Sequence, residues 1–139
     1  MNRGTGRAYD AYMSMEDWQT FIQEWAKSKG WWEGFKGGNV GKSASVTQDV
    51  QRDANNYVAS KLCLVHTEVS EAMEALRDGD MELRIGEGGK PEGFESELAD
   101  VIIRVLDLAE ALGMDMGKTM AAKMKYNETR EHKHGGRAL

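Results

Sequence analysis

Apolar residues recur along this chain at intervals of three and four, the spacing that gathers them on one face of a helix. Trp18, Phe21, Ile22 and Trp25 mark a first helix, opened by Ser14 with Asp17 three residues on and closed by Gly30. Thr47 opens the longest periodic segment, which runs to about Arg77 and stops near Gly79. In it Val50, Ala54, Tyr57 and Val58 continue into Leu62, Val65, Val69, Met73 and Leu76. This segment fits one long helix or two joined at a kink near Ser60. A third helix starts near Phe94 and ends at Gly113, and Asp115 caps a fourth that carries Met116, Met120, Met124 and Tyr126. Residues 30–46 form a connector rich in Gly, Trp and Lys. Residues 79–93 hold Gly79, Gly86, Gly88, Gly89, Pro91 and Gly93 and read as a loop, with a short extended piece at Glu82 to Ile85. Residues 1–13 lack periodicity and read as a mobile arm or one that packs on another subunit. No period-2 pattern of useful length and no internal repeat is present. The expectation is an all-α bundle of four to five helices in a single domain spanning residues 1–139.

The polar positions carry the chemistry. On the third helix Leu98, Val101, Ile102, Val105, Ala109 and Leu112 form an apolar face, and Glu97, Asp100, Arg104 and Asp107 a stripe on the other side. On the second, Val65, Val69, Met73 and Leu76 lie opposite Leu64, Glu68 and Glu71. Glu68-x-x-Glu71 and Glu97-x-x-Asp100 are therefore pairs of carboxylates, each pair pointing one way. Set against each other they make an oxygen-rich pocket suited to hard divalent cations, a common tool for hydrolysing phosphate anhydrides. Taken singly, a pair of acids at this spacing is ordinarily a solvated helix face. The metal reading requires another helix or a second subunit to cover the acidic stripes.

Composition narrows the field. A formal net charge of −5 disfavours non-specific nucleic-acid binding, which runs on clustered Lys and Arg. The one cysteine, Cys63, lies in an apolar helical run and looks buried; it offers no disulfide framework and suggests a reducing compartment. No stretch approaches the apolar length of a membrane span, so a cytoplasmic protein with no membrane partner is expected. Lys123, Asn127 and Arg130 fall at i, i+4 and i+7 and share one helix face. Trp31 and Trp32 are adjacent and point different ways in a regular element, so one can pack in the core while the other stacks on a base. The run Gly37 to Ser43 imitates a phosphate-binding loop, but its glycine spacing is one residue short and no strand precedes it; Lys42 retains at most an auxiliary phosphate contact. His66 reads as packed or paired with a carboxylate, and His132 and His134 as part of a polar tail.

The run from Leu62 to Arg77, with Glu68-Val69-Ser70-Glu71 at its centre, resembles the signature helix of MazG-like nucleoside triphosphate pyrophosphohydrolases. Glu97-Leu98-Ala99-Asp100-Val101-Ile102-Ile103-Arg104 is similar to that family's partner helix. The stretch Lys123 to Arg130, followed by His134-Gly135-Gly136, resembles its C-terminal motif, and Gly30-Trp31-Trp32 a piece found before the first acidic helix. The resemblance spans about Trp18 to Leu139 and is nearest to compact, phage-type members. It implies Mg²⁺-dependent hydrolysis of a (d)NTP between the α and β phosphates, giving a nucleoside monophosphate and pyrophosphate, with Mn²⁺ as a possible substitute. It implies Glu68, Glu71, Glu97 and Asp100 as metal ligands, with Glu68 or Glu71 also taking the proton from the attacking water. It places Lys123, Asn127 and Arg130 on the phosphates. It further implies a homodimer or a homotetramer built as a dimer of dimers. The substrates it points to are dGTP and GTP, in control of a nucleotide pool, in the host cytoplasm if the chain is phage-encoded. The competing reading is a non-catalytic helical bundle acting as an interaction or regulatory module. A third is a carboxylate-bridged redox metal protein.

Overall fold

In a computed structural model, which describes residues 13–35 and 47–130, the chain is all-α with four helices. They are α1 (Met15–Ser28), α2 (Gln48–Asp78), α3 (Phe94–Ala111) and α4 (Met116–Glu128). Their ends follow the local chemistry read from the sequence. The Ser14 hydroxyl accepts the Asp17 amide at 3.1 Å, and the Asp115 carboxylate accepts the Lys118 amide at 2.8 Å. Gly79 closes α2 in the left-handed region at φ 72°, where an amide to carbonyl bond from Asp80 to Ala75 seals the last turn. The α2 segment is one helix of 31 residues, about 46 Å long, with no break at Ser60. The arm expected at residues 1–13 lies, apart from Met13, outside the described residues, as do Lys42, His132 and His134.

The 79–93 segment is more ordered than a plain loop. Arg84–Ile85 (β1) and Pro91–Glu92 (β2) pair antiparallel around a short 3₁₀ turn at Glu87–Gly89. Two residues per strand carry no readable alternation, which is why periodicity gave only an extended piece. The Arg84 guanidinium grips the Asp80 carboxylate at 2.9 and 3.1 Å and pairs with Glu92 across the hairpin. The hairpin returns the chain antiparallel, as two contacts show: the Phe94 amide donates to the Asp80 carbonyl, and farther along Arg104 reaches Glu68.

The core lies at the other end of this pair. Ala26 of α1, Trp32 and Leu108 of α3 form its centre, with Trp31, Phe35, Tyr57, Val58, Ala111 and Leu112 packed around it. Gln19 ties α1 to the turn before α4: its amide donates to the Met114 carbonyl at 2.7 Å and accepts the Met116 amide at 3.0 Å. Packing of α4 is mainly against α1.

The amphipathic faces of α2 and α3 are turned in an unexpected direction. The two helices pack against each other, and Glu68, bonded to Arg104 of α3, is buried between them; Ala54 and Ala72 of α2 are buried as well. Part of each apolar face is open, while Ala109 and Leu112 of α3 turn into the core. Val69, Met73 and Leu76 on α2 and Leu98 and Ile102 on α3 are all 45–56% exposed. Within one chain Glu68 is thus covered, Glu97 and Asp100 are partly covered, and Glu71 stays exposed. Cys63, expected to be buried, is exposed. Its neighbour Leu62 is half exposed as well.

Candidate metal centre

Glu68 and Glu71 lie about one turn apart on α2, and Glu97 and Asp100 about one turn apart near the start of α3. Antiparallel packing brings them level. One carboxylate oxygen each from Glu68, Glu97 and Asp100 lies within 4.8 Å of the others. Opposite ligands on Mg²⁺ stand about 4.2 Å apart, so a set this close needs only small side-chain movements to close on a hard cation. The all-oxygen donor set suits Mg²⁺, Mn²⁺ or Ca²⁺ and lacks the His or Cys that softer metals favour.

The cluster is electrostatically strained. Burial raises the Glu97 pKa, and the charges of Glu71, Asp100 and Glu68 raise it further. Burial likewise raises that of Asp100, helped by Glu68 and Glu71 and opposed by Arg104 and Lys90. Glu71 is exposed and stands outside the tight triad, yet it is the largest charge acting on Glu97, so it belongs to the same site. All four carboxylates singled out from the sequence are thus neighbours in one chain. Lys90, from the hairpin, adds a nearby positive charge that sequence reasoning did not flag.

Arg104 and Asp107 continue the polar stripe of α3 toward the core. Arg104 donates from Nε to Glu68 Oε1 at 2.9 Å, and its guanidinium lies 4.4 Å from the centre of the Trp31 ring. Asp107 is buried and accepts the Trp32 indole N–H at 2.8 and 3.0 Å. Burial raises the Asp107 pKa, against the pull of the Trp32 bond and of Lys61. Lys61, whose pKa is lowered by burial, donates to the Trp31 carbonyl at 2.5 Å and lies 4.5 Å above the Trp32 ring.

The two tryptophans take different places. Trp32 is a core residue whose ring packs on Phe35 and Tyr57 and borders a cavity of about 470 Å³ shared with Gln23, Lys27 and Glu110. Trp31 is half-buried, stacked by Arg104 and met edge-on by Trp25. Lys123 and Asn127 are exposed on α4, whose principal neighbour is α1, so packing within the chain does not carry them onto the carboxylates. Arg130 lies beyond the Thr129 cap, and its amide bonds back to the Asn127 carbonyl. Sequence position identified Arg104 and Asp107 only as polar-stripe members. Their spacing after Asp100, at i+4 and i+7, was the available sign that they share its face.

No family model matches the chain, and no curated protein and no solved structure does either. The fold and the site define an all-α protein with a carboxylate cluster between two antiparallel helices. Among the described residues no helix is long and apolar enough to cross a membrane.

Proposed function

We propose that the chain is a divalent-metal-dependent nucleoside triphosphate pyrophosphohydrolase that cleaves between the α and β phosphates. The convergence of Glu68, Glu97 and Asp100, with Glu71 at the edge, carries this reading. Glu68, Glu71, Glu97 and Asp100 would hold Mg²⁺, or Mn²⁺ in its place. Such an ion supplies a water acidic enough to attack at neutral pH and offsets the charge of the polyphosphate.

The residues of the chain supply the rest. Glu71, exposed at the edge of the cluster, would accept the proton of the attacking water through a free carboxylate oxygen. Lys123, Asn127 and Arg130 are the phosphate-binding group, and they reach the cluster from a second copy of the chain rather than from their own. The exposed apolar stripes on α2 and α3 support a homodimer or a dimer of dimers, because a chain rarely leaves so many large apolar residues to water on one pair of helices. Trp31, stacked by Arg104, would be the aromatic that meets the base. Purine substrates, dGTP and GTP, and a role in nucleotide pool control follow the resemblance to compact phage-type pyrophosphohydrolases.

Incubation with each common (d)NTP and Mg²⁺, read by ³¹P NMR or HPLC, tests the proposal. It requires monophosphate and pyrophosphate as products. Orthophosphate as the sole phosphate product contradicts the bond assignment. The same apolar stripes also suit a non-catalytic interaction module, and that reading is left standing if no nucleotide is hydrolysed and no divalent cation shifts the melting temperature.

A further inference from the structure

We propose that Arg104 is a positioning residue for the cation site: seated on the Trp31 indole, it holds Glu68 by one oxygen and leaves the other for a cation shared with Glu97 and Asp100. The inference rests on the cation reading given above and assigns a role to two residues outside the ligand set. Glu68 is 7% exposed, and its Oε1 accepts Arg104 Nε at 2.9 Å, while Oε2 accepts no hydrogen bond among the described residues. A buried glutamate has three torsions to fix, and a carboxylate bound at one oxygen keeps a single direction for the second.

The support behind Arg104 is itself fixed. Its guanidinium is 4.4 Å from the Trp31 ring centre, a stacking geometry that a planar cation favours. The Trp31 ring meets Trp25 edge-on at 4.8 Å, and the Trp31 carbonyl accepts Lys61 at 2.5 Å and the Tyr57 hydroxyl at 3.2 Å. Trp31 is thus tied to both α1 and α2. Arg104 also brings its positive charge close to the cluster, which by itself would repel a second cation. Four carboxylates outnumber the charges of Arg104 and Lys90, so the site stays net negative and the orienting effect prevails.

Mn²⁺ titration of the full chain, followed by EPR and calorimetry, tests the assignment. Arg104→Gln is expected to weaken Mn²⁺ binding about 10–100-fold, the usual effect of losing an outer partner of a ligand. Trp31→Leu is expected to weaken it less. The double variant should match Arg104→Gln within about twofold, because Trp31 acts through Arg104; independent packing effects would multiply instead. Arg104→Lys keeps the charge without the flat fork and should also weaken binding, which preserves the test if Arg104→Gln does not fold. Unchanged or tighter Mn²⁺ binding in Arg104→Gln or in Arg104→Lys overturns the inference and leaves the cation site intact. A wild-type chain that takes up no Mn²⁺ at millimolar concentration overturns both.

Discussion

The Trp32 indole N–H bridges both oxygens of Asp107, at 2.8 and 3.0 Å, inside the core. A carboxylate at a buried position has few ways to be satisfied, and here the donor comes from a residue 75 positions away. The bond therefore joins the turn after α1 to the C-terminal part of α3 and fixes the azimuth of the helix that carries Glu97 and Asp100. Trp32→Phe should lower stability by about 2–4 kcal/mol, since it removes volume and also strands a buried acid. Adding Asp107→Leu should recover part of the loss. Urea unfolding of the three variants measures this, and a double variant no more stable than Trp32→Phe would contradict it.

The acidic cluster should make metal-free stability depend on pH. Burial and neighbouring carboxylates raise the pKa values of Glu97 and Asp100. The folded chain then holds these protons more tightly than the unfolded one does. That stabilisation is complete below the unfolded values, about 4, and is lost as pH rises through the folded values above them. In EDTA the wild type is expected to lose melting temperature over this window, relative to Glu97→Gln/Asp100→Asn. Mg²⁺ favours the ionised forms and should remove the difference in slope. Parallel profiles in EDTA would contradict the shared site.

Glu71 separates chemistry from stability. It is exposed, so Glu71→Gln should change folding stability by no more than about 0.5 kcal/mol. In the proposed role of proton acceptor, its loss should slow turnover about 10²–10⁴-fold. Pyrophosphate release alongside circular dichroism checks both, and full activity in Glu71→Gln would remove it from the mechanism.

Gly93 sets the entry to α3. It sits at φ 102° and ψ 167°, backbone that essentially only glycine adopts, and a Cβ there would run into the Glu82 carbonyl oxygen. Gly93→Ala should cost about 1–3 kcal/mol from the backbone alone. The Glu97 amide bonds to the Gly93 carbonyl, so the same change should weaken Mn²⁺ binding. Thermal melts and Mn²⁺ titration read the two effects separately.

The apolar stripes predict self-association. Val69 is 48% and Ile102 56% exposed. Val69→Lys/Ile102→Lys places like charges on both helices and should sediment as a monomer, and the wild type should sediment as a dimer or tetramer. A monomeric wild type would contradict this.

Much of the fold could be read locally. Ser14, Thr47, Gly79 and Asp115 marked helix ends because capping is short-range chemistry, and α2 and α3 fell where periodicity placed them. The direction in which each helix faces was a different matter. A wheel separates apolar from acidic but does not say which side meets the neighbouring helix, and here the acidic sides of α2 and α3 meet. The same gap hid Asp107 and Arg104, whose partners Trp32 and Trp31 are far away in sequence. The carboxylates themselves were legible because each pair sits within one turn of one helix.

The unbroken run of α2 has a consequence for how such a chain can vary. Tyr57 and Lys61, which anchor the aromatic core, and Glu68, which enters the acidic cluster, are points on one stiff rod. An inserted residue between Lys61 and Glu68 would swing the glutamate by about 100° around the axis, off its neighbours on α3. A change of chain length within those six positions would therefore be lethal to the site.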